Sequence, residues 1–113
     1  MTNGPIDLAT FTELQDTAGA DFVTELVQTF LDDAPKMLAE LREALAAGNA
    51  DTFRRAAHSL KSNSLTFGAL TLATMAREQE LGGLAAAQQS NPLDALAQEY
   101  ARVAGALKEL SHG

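Results

Sequence analysis

Apolar positions recur at helical spacing along nearly the whole chain. After Pro5 and Asp7, the residues Leu8, Phe11 and Leu14 fall on one face and predict a short helix over about 7–16. Thr17-Ala18-Gly19 interrupts it. Phe22, Leu26 and Phe30, then Leu38, Leu41 and Leu45, keep a single apolar stripe and predict one helix over about 20–47. Pro35 lies inside that stretch and removes one backbone donor, so a bend is expected there. At ~1.5 Å per residue this helix would be roughly 40 Å long. Gly48-Asn49 then stops it with a pair that tolerates left-handed backbone.

The third helix is predicted over about 51–67, with Asp51 at its positive end and Phe53, Ala57, Leu60 and Ser64 along it. Gly68 marks a break or a close packing point. A fourth stretch, about 69–88, carries Leu72, Met75 and Ala76, and Gly82-Gly83 weakens its end. Ser90-Asn91-Pro92 reads as a turn with proline at a helix start. The last helix, about 92–110, uses Leu93, Leu96, Tyr100, Val103 and Leu107. Alanine and leucine dominate, and runs of β-branched residues are absent. The expected fold is all-α: an antiparallel four-helix bundle with a short additional N-terminal helix, in one domain over 1–113.

Composition narrows the function. Eight Lys and Arg against fifteen Asp and Glu give a formal charge of -7, which argues against a general nucleic-acid binder. The absence of cysteine excludes a disulfide scaffold, a thiolate metal site and a Cys nucleophile. No basic-then-apolar leader opens the chain, and no apolar run approaches the roughly 20 residues that span a bilayer. A soluble cytoplasmic protein with a protein partner is the expectation.

Two histidines are present, and His112 stands beside the C-terminus, where fraying is expected. His58 is different. At ~100° per residue, with Phe53 at zero, Ala57, Leu60, Ser64 and Phe67 all lie within about 40°. His58 falls at about 140°, between Arg54 at about 100° and Ser62 at about 180°, with Lys61 at about 80° and Leu65 at about 120°. His58 is therefore off the core stripe, on a face with cations one turn away on either side. It is either a plain surface histidine or a functional one. Zinc is disfavoured because the neighbours are cations rather than ligands, and a Ser-His-Asp triad has no G-x-S-x-G turn to support it.

The run Ala56-Ala57-His58-Ser59-Leu60-Lys61-Ser62-Asn63-Ser64, followed by Gly68-Ala69, resembles the signature of histidine-containing phosphotransfer (HPt) domains, roughly A-H-x-L-K-G-x-x-x-x-x-G. Phe30-Leu31-Asp32-Asp33-Ala34-Pro35, Leu41-Arg42-Glu43-Ala44-Leu45 and the Gly48-Asn49-Ala50-Asp51 turn sit where that family carries similar segments. One departure is Ser62, where the family usually has glycine after the lysine.

The resemblance implies a phosphorelay shuttle rather than an enzyme. His58 would accept a phosphoryl group from a receiver-domain aspartate or a kinase and pass it to a response regulator. Lys61 and, more weakly, Arg54 would stabilise that group by charge-assisted hydrogen bonds. Arg55, at about 200°, points further round the helix. For both arginines the alternative is solvation or pairing with Asp51. Ser62, Leu65 and Gly68 would serve close approach or docking, and Ser59 and Ala69 would limit steric obstruction. Glu80, by its spacing in the next helix, either orients the histidine ring or is a plain surface charge.

The implied partners are response-regulator receiver domains and a hybrid sensor histidine kinase, met by a monomeric, freestanding chain. No cofactor is expected on this chain, and the Mg²⁺ of the reaction would sit on the receiver. The competing reading is a non-phosphorylated helical adaptor for a receiver or kinase domain, which would need neither His58 nor Lys61. A metal-binding bundle enzyme would need inward Glu-x-x-His pairs that the chain lacks.

Overall fold

The structure, a computed structural model, describes residues 4–112; the side chain of His112, and the fraying expected there, lie outside that description. Five helices account for most of it: α1 Leu8–Ala18, α2 Ala20–Ala47, α3 Ala50–Thr66, α4 Leu70–Ser90 and α5 Leu93–His112, with no strand among the described residues. The 28 residues of α2 at ~1.5 Å each span the 41 Å long axis of the molecule. α2 packs on α1, α3 and α5, α3 packs most extensively on α4, and α4 also meets α5.

The α2 core stripe is set one residue later than its aromatic residues suggest. Val23, Val27, Phe30, Ala34, Leu41 and Ala44 are buried, whereas Phe22 is 52% exposed. Leu26, Leu38 and Leu45 pack at the edge of the core. Gly19 explains the phase. Its backbone at φ 95 starts a new helix, and its carbonyl accepts from the Val23 amide, so the helix is indexed from the glycine rather than from Phe22.

Pro35 does not divide α2. The ring sits on the exposed side of the helix, where its bulk meets solvent, and the backbone acceptor it leaves unused takes a hydrogen bond from α5. α4 likewise runs on past Gly82-Gly83 to Ser90, but Gly83 has non-helical backbone at φ 77 and ψ -175, so α4 is two helical pieces across a break.

The α3–α4 turn is closed by the N-terminal segment. Gly68 has φ 78, its carbonyl accepts from the Asp7 amide at 2.8 Å, and a Cβ there would stand 2.9 Å from both the Asp7 carbonyl and Thr10 Cβ. Thr10 Oγ1 in turn donates to Asp7 Oδ2 at 2.6 Å. Ile6 and Phe11 then join the core, and Phe67 packs on Phe30 with ring centroids 5.3 Å apart. No helix among the described residues is long and apolar enough to cross a membrane.

Candidate functional site

The face that carries His58 is fixed by the way α3 begins. Gly48 ends α2 in left-handed backbone, and Asn49 Oδ1 accepts from the Thr52 amide at 3.1 Å as an N-cap. With the first turn held, Phe53, Ala57, Leu60 and Ser64 point into the core, and Ser64 satisfies its buried hydroxyl on the Leu60 carbonyl at 2.6 Å. His58 is thereby turned outward, its side chain 55% exposed.

α4 supplies the group that meets it. Glu80 Oε2 lies 2.7 Å from His58 Nδ1, and Glu80 Oε1 lies 2.8 Å from Lys61 Nζ. The carboxylate is only 15% exposed and bridges two residues of the neighbouring helix. The Lys61 ammonium holds the Glu80 carboxyl below its ordinary value of 4.5, with a further contribution from His58, while partial burial acts in the opposite sense. Glu80 is therefore an acceptor at neutral pH. The proton of the neutral imidazole must sit on Nδ1 to donate to it, which leaves the lone pair on Nε2. No hydrogen bond engages Nε2 among the described residues.

The remaining candidates divide clearly. Arg54 Nη2 lies 3.1 Å from Asp51 Oδ1 and Arg55 Nε 3.0 Å from Asp51 Oδ2, so both arginines pair with the same carboxylate one turn before the histidine. Ser59, Ser62 and Leu65 are exposed on the histidine side of α3. Gly68 and Ala69 are not available there. Both are buried, and the close approach that Gly68 permits is made by Asp7 and Thr10 of the chain's own N-terminal segment. Leu81, next to Glu80 on α4, is the most exposed large apolar side chain and was not expected at the site. Its position just before Gly82-Gly83, where the helical pattern weakens, was the available signal. No group of three or more His, Cys, Asp or Glu side chains among the described residues is arranged to hold a metal ion.

Comparison with known proteins then settles the family. The model of the Hpt domain matches residues 25–112, most of the chain and all of the helix that carries His58. The chain belongs to the Hpt domain family. Its fold is also similar to a crystal structure of histidine-containing phosphotransfer protein B (HptB) from Pseudomonas aeruginosa PAO1, with a TM-score of 0.83 and 30% identity. That match covers 98% of this chain and 97% of the other. No curated protein sequence matches the chain significantly.

As an Hpt domain, the chain functions in histidine phosphotransfer in two-component signalling. Hpt domains are phosphotransfer intermediates that work with receiver domains and kinases. The exposed ring, its anchored Nδ1 and its open Nε2 are the parts of this structure suited to that chemistry.

Proposed function

We propose that His58 is the phosphoacceptor and that Nε2 is the atom that takes the phosphoryl group. One observation carries the reading: Glu80 Oε2 occupies Nδ1 at 2.7 Å on a ring whose other edge faces solvent. The Nε2 lone pair attacks the phosphorus of a receiver's aspartyl phosphate. An N–P bond forms as the P–O bond to the aspartate breaks, and the carboxylate leaves with the electron pair. No proton moves. The ring emerges cationic, with its Nδ1–H still on the Glu80 carboxylate, whose charge offsets it. The reverse sequence delivers the group to a second receiver, and Mg²⁺ on the receiver would neutralise the charge on the transferring oxygens.

The chain's own contribution is rigid presentation. The scaffold we propose is an antiparallel four-helix bundle of α2–α5 with α1 as the short additional helix, in one domain over 1–113. The packing of α3 on α4, α4 on α5, and α2 on both α3 and α5 supports that arrangement. Ser59 and Ser62 are small and exposed beside the ring and leave room for a receiver's pocket, and Leu65 offers it apolar contact. Arg54 is tied to Asp51 only by an exposed pair, worth about 0–1 kcal/mol, so an incoming phosphoryl dianion can compete for it. The proposed partners are response-regulator receiver domains and a hybrid sensor kinase, met by a cytoplasmic monomer.

The test is incubation with a phosphorylated receiver domain. Wild-type chain should acquire an acid-labile, base-stable label, and His58→Gln should acquire none. Label retained on His58→Gln would move the acceptor elsewhere.

A further inference from the structure

Lys61 stands three residues after His58 on α3, yet its ammonium is not held out toward solvent. Its side chain is 22% exposed, against 56% for Arg54, and Nζ lies 2.8 Å from Glu80 Oε1. That oxygen is shielded from solvent and makes no hydrogen bond of ordinary angle, so the Lys61 ammonium is its one close polar partner among the described residues. A shielded carboxylate oxygen without a counter-charge is costly, and Glu80 has free side-chain torsions with which to escape that cost. Without Lys61 the carboxylate would turn toward water, and the oxygen that anchors His58 Nδ1 would move with it.

We infer that Lys61 is a positioning residue for phosphoryl transfer and that it acts through Glu80. By holding Oε1 it fixes the plane of the carboxylate, Oε2 then fixes Nδ1–H, and the nucleophilic lone pair stays on the exposed Nε2. The inference rests on His58 as the acceptor and changes the part assigned to Lys61. Before Nζ could touch a phosphoryl group on Nε2 it would have to leave Glu80, and the histidine anchor would be lost at the moment the ring becomes cationic. The cation therefore serves the reaction from behind the carboxylate.

The experiment is a double-mutant cycle with two readouts on the whole chain. Single-turnover transfer from a phosphorylated receiver at saturating concentration is measured for wild type, Lys61→Met, Glu80→Gln and the double variant. In parallel, ¹⁵N NMR of the unphosphorylated proteins reads the fraction of His58 rings with the proton on Nδ1. Lys61→Met should slow saturated transfer about tenfold, as expected for one charge-assisted contact, and should mix the two ring tautomers. In the Glu80→Gln background the same substitution should change the rate by less than about twofold, because the group it acts through is gone. Lys61→Arg should restore both readouts.

Equal loss in the two backgrounds with an unaltered tautomer would make Lys61 a direct phosphoryl ligand and overturn the inference, as would no loss at all. Lys61→Gln provides the same comparison if Lys61→Met loses helical content. Should His58 not be the acceptor, label would persist on His58→Gln while the tautomer response to Lys61→Met still reported on the Lys61–Glu80–His58 chain.

Discussion

The Tyr100 hydroxyl donates to the Leu31 carbonyl oxygen at 3.3 Å, across the α2–α5 interface. Leu31 is four residues before Pro35, and proline has no N–H to return, so this carbonyl is the one that the α2 ladder leaves open. The phenol is held by an edge contact with Phe30, at 5.9 Å between ring centroids. Burial, together with the nearby Asp32 charge, pushes the Tyr100 hydroxyl up from its ordinary 10.0, which keeps it a donor at neutral pH. A long helix thus passes through a proline because another helix completes its hydrogen bonding.

Tyr100→Phe should therefore destabilise the fold by about 0.5–1.5 kcal/mol, the net worth of one neutral hydrogen bond. In a Pro35→Ala background the restored amide takes the Leu31 carbonyl, and Tyr100→Phe should then cost measurably less. Urea unfolding of the four proteins reads the coupling directly. Equal costs in both backgrounds would show that the hydroxyl does not compensate for Pro35.

What could be read from the chain differs by element, for physical reasons. On α3 the phase follows from local signals: Asn49 and Asp51 mark the start, and Phe53, Ala57, Leu60 and Ser64 then fix one inward face, so the outward sector of His58 follows by rotation alone. On α2 the larger residue misled. Phe22 reads as core, but Gly19 indexes the helix so that the smaller Val23 and Val27 are buried instead. Gly68 was legible as a place of close approach but not by whom, because Asp7 and Thr10 are some sixty positions earlier. The position of Glu80 suggested a partner for the ring. Its second oxygen on Lys61 was beyond reach, since that contact depends on how α3 and α4 are set against each other.

Leu60 and His58 should separate stability from activity. Leu60 is fully buried, and Leu60→Ala should cost about 2–5 kcal/mol in thermal or urea unfolding. His58→Gln removes an exposed ring and one surface contact, and should cost no more than about 1 kcal/mol while abolishing phosphoryl acceptance. A stability loss near zero for Leu60→Ala would mean that the helix phase is misassigned.

Gly68 and Gly48 share left-handed backbone but not surroundings. At Gly48, with φ 73, a Cβ would meet nothing within 4 Å, so Gly48→Ala should cost only the backbone strain, about 1–2 kcal/mol. At Gly68 the same strain is joined by two contacts at 2.9 Å, and the atoms met are a backbone carbonyl and a Cβ, neither the end of a flexible chain. Gly68→Ala should be the more destabilising of the two by at least about 1 kcal/mol. It should also weaken the Asp7–Gly68 hydrogen bond, visible as faster amide exchange at Asp7.

Glu80 should give the fold an acid-side dependence of known sign. Its folded carboxyl is held below 4.5, by Lys61 first and His58 second, so it binds a proton less readily in the folded than in the unfolded chain. The stability this contributes is present in full above the ordinary value and is lost as pH falls through the lower folded value. Glu80→Gln cannot titrate and should lack that component. Urea midpoints of wild type and Glu80→Gln, taken at intervals from pH 7 down to pH 3, should therefore converge below about pH 4.5 rather than run parallel. His58, being already protonated across that interval on its reference titration near pH 6.5, adds no convergence of its own there. Parallel midpoints down to pH 3 would mean that the Lys61–Glu80 contact does not hold the carboxylate in solution, and the anchoring of His58 Nδ1 would lose its support.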